Sequence, residues 1–521
     1  MNNLNFLVDV LKESPVFKTL EKNVKPGRTV CASGLSTINK SNIIYALCRL
    51  KGVTAFCLAS DEKEAQTLCN DLSCMGLRAY VYPVRDFNFL DFQSRSHEYE
   101  HARLKVLLKL INHECDVAIA CVDAAAQLTV PRNVLEQSVI EFEEGRELSL
   151  EKATKALTLL GYERFDAVEG SGQFSLRGGI LDFFMPDSDY PVRCEFWGDE
   201  ITDLSYFDIE TQRRFKKADK ITLSPSTEIV IEDRAALADK IEHKAKLLRS
   251  KNSAKAKEKL FSEAELIRSG AMIANADKFI NQIYDKPESL FDYLDRNTLV
   301  FASEFTAIQE RGKSMDFISN ETLMQGFEDG TLCRGFDRFA LTFNECTEFL
   351  QSHGTIVLEN FVHGSMPIKL SEIISFSTKQ LSAWGGSYKQ LKEDVDGLFT
   401  PESKGVIFAG TERAAKNLCD TFNADGINAV YSEGADKISK GELLVMQGAL
   451  SAGFEYPSQK FFAITYSQVS YRPEKSKKKK KKTGQEIYSL SELAPGDYVV
   501  HNVHGIGVFG GIRKIDTHGV I

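Results

Sequence analysis

Apolar and polar residues alternate most regularly over Gln173–Phe184 and Pro191–Trp197, which predicts two strands joined by a turn. Side chains two positions apart on a strand share a face. One face is predicted to be core because its residues are apolar: Phe174, Leu176, Val192, Cys194 and Phe196. The opposite face presents Arg177, Arg193 and Trp197, and arginine and tryptophan are enriched where proteins bind each other.

Two interpretations of this polar face stay open. Two arginines beside an exposed tryptophan are typical of a protein-binding patch. In the alternative, Arg177 or Arg193 pairs with Glu195 across the strands, and Trp197 lies at the rim of the core. The glycines at 178 and 179 would let the first strand bend or another backbone approach.

The rest of the pattern predicts an α/β protein with several domains. Short apolar runs alternate with segments of helical spacing, which favours a parallel sheet covered by helices on both faces. The predicted strands of this part are Thr29–Ala32, Val53–Ala59, Ala79–Tyr82, Val117–Val122, Thr227–Ile231 and Leu299–Ala302. The predicted helices between them include Asn42–Leu50, Asp61–Met75 and Glu98–Ile111. A second α/β unit follows, from Gly405–Phe408 to Phe461–Thr465.

A phosphate-binding loop is nearly complete after the first predicted strand. Gly34, Lys40 and Ser41 occupy their places in the pattern G-x-x-x-x-G-K-[ST], between a strand and a helix. Asn39 stands where the pattern has its second glycine. That glycine lets the backbone wrap the phosphates, so asparagine weakens the site without removing it.

Acidic partners for such a loop are poor. A nucleotide hydrolase holds magnesium with an aspartate near the end of a buried strand. Asp123 ends one buried strand but is followed by alanines, and Ser303 stands where the aspartate before Glu304 is needed. We therefore predict a helicase-like fold with a degenerate nucleotide site, formed by Gly34, Asn39, Lys40, Ser41 and Glu304.

Composition limits the function classes. With 521 residues the chain is long enough for three or four domains, and its net charge of −9 argues against a surface that binds nucleic acid throughout. Eleven scattered cysteines without zinc-site spacing fit a reducing compartment, and we predict no metal site. No signal peptide or membrane span is recognisable, so we expect a cytoplasmic protein without a membrane partner.

A low-complexity linker carries six consecutive lysines: Lys477, Lys478, Lys479, Lys480, Lys481 and Lys482. A block of like charge repels itself and favours an extended chain. These lysines are candidate contacts to the phosphate backbone of DNA, or they form a solubilising tether; the sequence favours neither.

The run from Gln173 to Arg213 resembles the family pattern GEFSVRGGIIDIFP…PVRIEFFGDEI…FDPxTQRS. This is the UvrB-like module of the bacterial transcription-repair coupling factors. Proteins of that family displace RNA polymerase stalled at DNA lesions and recruit the excision-repair protein UvrA. The resemblance implies that UvrA docks on Arg177, Arg193 and Trp197, with Trp197 in the place of the usual phenylalanine.

Two later stretches carry the same resemblance. Residues Gly453–Pro457 are similar to a turn of the family's third domain. The stretch PGDYVVHNVHGIG from Pro495 resembles the start of the RNA polymerase interaction domain, a Tudor-like barrel that binds the polymerase β subunit. The implied polymerase contacts are His501, Asn502, Val503 and His504, and Asn502 replaces a residue that is often apolar.

The resemblance implies the following order of domains. A UvrB-like domain 1A with the degenerate loop (1–130) precedes an inserted α+β domain 2 of the UvrA-binding type (131–215). The chain returns to domain 1A with a helical domain 1B (216–345). A small α/β third domain (346–471), the lysine-rich linker (472–490) and the start of the polymerase interaction domain (491–521) follow.

An adaptor for UvrA and the polymerase is therefore the leading hypothesis. Family members continue with a RecG-like motor, an ATP-dependent translocase on double-stranded DNA that requires ATP and magnesium. We expect the present chain to be a fragment or a truncated product that is not itself catalytic and needs no cofactor. The alternative is an ATP-dependent, helicase-like or UvrB-like repair enzyme that uses Gly34–Ser41.

Overall fold

The computed structural model describes residues 4–85, 97–137, 140–249, 253–270, 276–362, 366–384, 387–466, 498–501 and 505–508. Its contacts divide the chain into two compact units, Met1–Val469 and Ser470–Ile521. No helix within these described ranges is long and apolar enough to cross a membrane.

The helices precede, separate and follow the strands along the first unit. The α-helices are α1 (Asn5–Glu13), α2 (Pro15–Asn23), α3 (Thr37–Lys51), α4 (Glu62–Cys74), α5 (Glu98–Ile111), α6 (Val122–Ala126), α7 (Arg132–Gln137), α8 (Leu150–Leu159), α9 (Arg234–Leu247), α10 (Ser253–Ser269), α11 (Ile280–Ile283), α12 (Phe305–Asp329), α13 (Phe343–His353), α14 (Tyr388–Leu398) and α15 (Glu412–Ala424). Short 3₁₀ helices cover Ala276–Phe279, Leu290–Tyr293 and Pro457–Gln459.

The strands of the described residues form three large sheets and two pairs. They are β1 (Val30–Ser33), β2 (Ala55–Ala59), β3 (Ala79–Tyr82), β4 (Val117–Cys121), β5 (Ile140–Glu143), β6 (Glu163–Arg164), β7 (Gln173–Arg177), β8 (Ile180–Phe183), β9 (Val192–Trp197), β10 (Glu200–Phe207), β11 (Arg214–Lys217), β12 (Lys220–Leu223), β13 (Leu299–Ser303), β14 (Thr355–Leu358), β15 (Glu372–Ser375), β16 (Lys379–Leu381), β17 (Lys404–Phe408), β18 (Ala429–Tyr431), β19 (Glu442–Met446), β20 (Gly453–Tyr456), β21 (Phe461–Thr465), β22 (Tyr498–His501) and β23 (Gly505–Val508).

The first sheet has seven parallel strands in the order β15-β1-β14-β13-β2-β4-β3. Strands β1, β2 and β4 are buried along their whole length. A parallel sheet covered on both faces needs apolar residues at every position, and these strands have the sequences VCAS, AFCLA and VAIAC. The predicted α/β class with a parallel sheet is confirmed, although the position of β14 and β15 changes a domain boundary.

The third domain was predicted to begin at residue 346, but β14 and β15 lie in the first sheet. They pair with β1 on either side of it. The third large sheet begins only with β16, and its order is β16-β20-β21-β17-β19-β18. The Gly453–Pro457 stretch, predicted as a turn, is mainly strand β20, which pairs with both β16 and β21.

The second sheet has six strands in the order β11-β10-β9-β8-β7-β6, and the β5–β12 pair packs beside it. Its core includes Leu181, Phe183 and Cys194, all with no exposed surface, together with Ala153 and Leu157 of α8. Because β12 pairs with β5, residues up to Leu223 belong with this sheet. The pairing with β12 thus extends past residue 215, where the domain is predicted to end.

One predicted strand, Gln173–Phe184, is in fact a hairpin. Strands β7 and β8 are antiparallel, with Arg177 opposite Ile180, so Gly178 and Gly179 form a two-residue turn. Gly178 has a φ of +61°, and such tight turns take glycine at their first central position. Gly179 packs against β9, where an added Cβ would lie 2.7 Å from the carbonyl oxygen of Phe196. The expected bend at the glycines is thus a full reversal of the chain.

The predicted strand Thr227–Ile231 does not form. Side chains take the place of a neighbouring strand: the amide of Glu228 donates to Glu100 Oε1 at 2.8 Å, and the amide of Val230 donates to the Tyr284 hydroxyl at 2.9 Å. That hydroxyl donates in turn to the carbonyl oxygen of Glu228. Ile229 joins the apolar core beside the first sheet, so the segment does return there, but as irregular backbone.

The second unit is described only at β22 and β23, which form an antiparallel pair with His501 opposite Gly505. These two strands agree with the strands predicted at the start of a barrel. The barrel itself lies outside the described residues and remains a prediction.

The two-residue turn allows a test of the second sheet. Replacing Gly179 with alanine should lower the free energy of unfolding by about 2 kcal/mol, because the new methyl group meets backbone that cannot move aside. Urea unfolding followed by tryptophan fluorescence measures this loss. Gly178→Asn is the matched control: the site is open, and asparagine tolerates a left-handed φ, so its cost should stay below about 1 kcal/mol. Equal losses in the two variants would contradict this packing.

Candidate protein-binding face and degenerate nucleotide site

The second sheet brings together the three residues predicted to bind UvrA. Arg177 ends β7, and Arg193 and Trp197 lie on β9, all on the face opposite the core. The side chain of Trp197 is 82% exposed, the largest exposure among the described large apolar residues. Arg177 is half exposed, whereas Arg193 is mostly covered. We call these three residues the docking face.

A single buried carboxylate holds both arginines of the docking face. Asp182 lies on β8, directly opposite Arg193 of β9, and only 1% of its side chain is exposed. Its Oδ2 accepts from Nη2 of Arg177 at 2.7 Å and from Nη2 of Arg193 at 2.8 Å, and its Oδ1 accepts from Nε of Arg193 at 2.7 Å. The hydrogen bond to Asp182 raises the pKa of Arg193, so this guanidinium stays charged.

The alternative pairing with Glu195 does not occur. The Glu195 carboxylate accepts instead from Arg214 of β11, which also donates to Asp203 Oδ2 at 3.0 Å. Register explains this choice, because Glu195 of β9 lies opposite Asp203 of β10, and β10 is the strand between β9 and the β11 strand that carries Arg214. These side chains therefore form two separate ion-paired groups, one around Asp182 and one around Arg214. Trp197 is exposed rather than part of the core rim.

The degenerate nucleotide site differs from the predicted loop in where its helix begins. Helix α3 starts at Thr37, after an extended Ser36, so Asn39, Lys40 and Ser41 lie inside the helix. The hydroxyl of Ser36 donates to Asn39 Oδ1 at 2.7 Å, which ties the first turn together. Only two residues then separate Gly34 from the helix. Such a short loop has too few free backbone amides to wrap a row of phosphates.

Lys40 is buried, and protein groups take up its charge. Its side chain is 2% exposed. Its ammonium donates to Glu304 Oε1 at 2.6 Å, to the Ser303 hydroxyl at 2.9 Å and to Glu64 Oε1 at 3.3 Å. Burial raises the pKa of Glu64, but Lys40 and the serine hydroxyls more than offset this and hold the pKa below its ordinary value. The carboxylates of Glu64 and Glu304 thus neutralise the charge of Lys40, as the phosphates of a nucleotide do in a working phosphate-binding loop.

Glu304 follows β13 in the left-handed region, with a φ of +56°. Its Oε1 also accepts from the amide of Asn360 at 3.0 Å, which helps to hold this strained conformation. Glu359 is fully buried after β14 and accepts from the amide of Phe305 at 2.8 Å. Burial and then repulsion by Glu304 raise the pKa of Glu359.

A second polar chain leads from α3 to the third large sheet. The hydroxyl of Ser41 donates to Asp71 of α4 at 3.3 Å. The amide and the hydroxyl of Ser451 each donate to the same buried carboxylate at 2.7 Å. Beside them, Asn42 donates to the Tyr456 hydroxyl of β20 at 3.1 Å. Burial raises the pKa of Asp71 to about 6, although the hydrogen bonds from Ser451 and Ser41 lower it.

The segment between β15 and β16 lies against the first glycine of the predicted loop. The amide of Phe376 donates to the carbonyl oxygen of Ser33 at 2.8 Å, and Thr378 donates to that of Gly34 at 2.8 Å. A Cβ on Gly34 would lie 2.2 Å from the carbonyl oxygen of Phe376. Here the glycine makes room for a neighbouring backbone, where the pattern would use it to make room for a phosphate.

Asp123 belongs to an ion-paired group. Among the described residues, Glu62, Cys121 and Asp123 are the one group whose atoms lie close enough to hold a metal ion. Arg311 of α12 already supplies the positive charge there: its Nε donates to Asp123 Oδ1 at 2.9 Å, and its Nη1 donates to Glu62 Oε2 at 3.1 Å. The geometry of the group is that of a structural ion pair.

Some predicted site residues cannot be placed. Asn502, Val503 and His504 lie outside the described residues, as do Lys477–Lys482, and of His501 only the backbone in β22 is described. Their predicted contacts to the polymerase and to DNA stay predictions.

Sequence reasoning missed the carboxylates that complete both sites. Asp182 was read as part of one long strand, which hid its position opposite Arg193. Glu64 and Asp71 lie on α4, whose helical pattern gives no sign that it packs beside α3 with carboxylates facing the loop. The signal that was available is an acidic residue inside an apolar strand sequence, ILDF, since a buried carboxylate needs a charged partner.

Comparisons with known proteins cover most of the chain. Residues 140–229 match the UvrB interaction domain, and residues 493–521 match the CarD-like/TRCF RID domain. The transcription-repair-coupling factor of Bacillus subtilis (strain 168) is 28% identical over 526 residues, covering 98% of this chain and 44% of that protein. The protein of that name from Staphylococcus epidermidis (strain ATCC 12228 / FDA PCI 1200) is 26% identical over 465 residues, covering 84% of this chain and 38% of the relative.

A third relative, the transcription-repair-coupling factor of Staphylococcus aureus (strain NCTC 8325 / PS 47), is 22% identical over 528 residues, covering 99% of this chain and 44% of that protein. The chain thus spans less than half the length of the curated relatives it matches. The match to the UvrB interaction domain contains the whole docking face.

The burial of Lys40 predicts how the degenerate nucleotide site behaves. Lys40→Ala should lower the free energy of unfolding by about 3 kcal/mol, because Glu64 and Glu304 lose their counter-charge. Adding ATP and magnesium should leave the urea midpoint of the wild-type chain unchanged, since no charge is left for phosphates. Lys63→Ala, on the exposed side of α4, is the control and should cost little. A midpoint that rises with ATP would show that the site binds nucleotide.

The raised pKa of Asp71 predicts a pH effect on stability. The folded pKa of about 6 lies above the ordinary aspartate value of 3.8, so the folded state binds the proton more tightly than the unfolded state does. Protonation of Asp71 therefore raises the free energy of unfolding as pH falls through 6, and this contribution is absent at alkaline pH. Compared with Asp71→Asn, the wild-type free energy of unfolding should rise by roughly 1 kcal/mol between pH 8 and pH 5. Urea unfolding at several pH values measures the difference, and a difference that does not vary with pH would refute this.

Proposed function

We propose that this N-terminal region of a transcription-repair coupling factor is an adaptor in transcription-coupled nucleotide excision repair. In this proposal it recruits UvrA to RNA polymerase stalled at a DNA lesion. The docking face binds UvrA, and residues from 493 onward begin the module that binds the polymerase β subunit. The matches to the UvrB interaction domain and the CarD-like/TRCF RID domain support these two partners.

The observation that carries the proposal is the arrangement of Arg177, Arg193 and Trp197. They lie on the polar face of one sheet, with the arginines fixed by a buried carboxylate and the tryptophan exposed. An exposed indole beside oriented guanidinium groups offers apolar area together with directed donors, the combination that dominates the energy of protein interfaces. UvrA then needs acceptor oxygens next to an apolar surface.

The proposed polymerase contact lies near the end of the sequence. His501, Asn502, Val503 and His504 fall inside the match to the CarD-like/TRCF RID domain. The described part of that range is the β22–β23 pair, and His501 is the last residue of β22.

We propose that the motor activity of such a protein belongs to domains other than those of this chain. That motor is an ATP-dependent translocase, which uses ATP and magnesium, moves on double-stranded DNA and displaces the polymerase. In this chain, Lys477–Lys482 remain the candidate DNA contact, where positive charge would add non-specific affinity.

The alternative, a helicase-like or UvrB-like enzyme that uses Gly34–Ser41, has less support. Its lysine is paired with Glu64 and Glu304, and its first glycine is filled by the Phe376 backbone. A phosphate would have to displace these groups and would leave carboxylates beside its own negative charge. We therefore propose a structural role for this site.

Calorimetry with purified UvrA tests the adaptor. The wild-type chain should bind, and the double variant Arg177→Ala/Arg193→Ala should lose about 100-fold or more in affinity, because two central donors are removed. Arg268→Ala is the control, since Arg268 is an exposed, ion-paired arginine outside the matched region. Absence of binding by a folded wild-type chain would sink the proposal.

A further inference from the structure

A buried carboxylate, which no partner can reach, holds the arginines of the docking face. Asp182 accepts three hydrogen bonds, one from Arg177 and two from Arg193, and its side chain is 1% exposed. A buried carboxylate needs charged partners to offset the loss of its hydration. Both arginines are therefore drawn to one point of the sheet, and their orientation depends on it.

Arg193 has further support from the loop between β10 and β11. Its Nη1 donates to the carbonyl oxygen of Gln212 at 3.0 Å, and its Nη2 donates to Gln212 Oε1 at 3.2 Å. Gln212 adopts a left-handed φ of +57°, which turns its carbonyl oxygen toward the sheet. The guanidinium also lies 4.4 Å above the ring of Phe207. With one face stacked and most donors used, Arg193 is fixed in position.

The balance of charge in this group is positive. One carboxylate serves two guanidinium groups, and Glu195 adds none because it is paired with Arg214. Arg177 makes one bond to Asp182 and is half exposed, so it keeps free donors for a partner. Asp182 therefore orders the two arginines without cancelling their combined charge.

We infer that Asp182 is the positioning residue of the docking face: it holds Arg177 and Arg193 at a fixed separation for acceptor oxygens of the partner. This inference rests on the proposed function, in which that partner is UvrA. Asp182 touches no partner atom, and its effect on binding passes through the two arginines. Gln212 plays the same part for Arg193 alone.

Calorimetry of the full chain with UvrA separates these roles. Asp182→Asn keeps the shape and removes the charge, and it should weaken binding roughly tenfold because both arginines gain rotational freedom. In an Arg193→Ala background most of that loss should disappear, since two of the three bonds to Asp182 are already gone. Asp203→Asn is the matched control: Asp203 is a carboxylate of the same sheet paired with Arg214, and its loss should change affinity less than about twofold.

The outcomes are distinct. If the folded Asp182→Asn variant binds UvrA as tightly as the wild-type chain does, the inference is wrong and the proposed adaptor function is unaffected. An equal loss with and without Arg193 also overturns it, because Asp182 would then act through the fold or by direct contact. An equal loss of affinity in Asp203→Asn would mean that removing any carboxylate of this sheet weakens binding. That result would also overturn the inference. Failure of the wild-type chain to bind removes the proposed function itself.

A second variant covers the case in which Asp182→Asn does not fold. Gln212→Gly suits the left-handed backbone and keeps the carbonyl acceptor; it removes Oε1 together with the hydrogen bond from Nε2 to the carbonyl oxygen of Ile209. It should weaken binding several-fold through Arg193, with an unchanged urea midpoint. Wild-type affinity in this variant would overturn the idea that acceptors behind the arginines determine binding.

Discussion

Burying the ammonium of Lys40 is the constraint that organises the first sheet. A charge removed from water must be met by opposite charge and by hydrogen bonds. The groups that meet it come from the end of β13 and from α4, and they contact each other, since the Ser303 hydroxyl donates to Glu64 Oε1 at 2.6 Å. Three elements are thereby fixed to one another at the carboxyl edge of the parallel strands. That edge is where α/β proteins usually bind ligands, and here the protein's own side chains fill it.

The neighbouring contacts extend the same arrangement to the third large sheet. Asp71 accepts from Ser41 on one side and from Ser451 on the other, so the carboxylate lies between two sheets. Apolar residues of α3 and of both sheets form one continuous core, which includes Ile43 of α3, Val30 of β1, and Val406 and Phe454 of the third large sheet. The residues that resemble a phosphate-binding loop thus contact the end of β13, helix α4 and the third large sheet.

Local patterns predicted much of the fold but not the partners of its charges. The alternation over β7–β9 placed Phe174 and Cys194 inside and Trp197 outside, because period-two spacing depends only on the strand itself. The prediction of one strand missed the Gly178–Gly179 turn, although a two-residue reversal moves the inward positions from even numbers (Phe174, Leu176) to odd ones (Leu181, Phe183). The strand predicted at Thr227–Ile231 failed because a side-chain hydroxyl and a carboxylate replaced the ladder. Asp182 was hidden by the prediction of one long strand, although its partners lie only 5 and 11 residues away. Glu64 and Asp71 were missed because partners of theirs lie 239 and 380 residues away in sequence.

The two sites use the same chemistry with opposite results. Around Lys40, two carboxylates bond one cation, so no positive charge is left for a phosphate. Around Asp182, two cations share one carboxylate, so positive charge and free donors remain at the surface beside Trp197. A ligand at the first site would have to break strong pairs, whereas a partner at the second adds bonds to groups already in place. The ratio of carboxylates to cations therefore favours a protein that binds through its second sheet over one that binds nucleotide at its first.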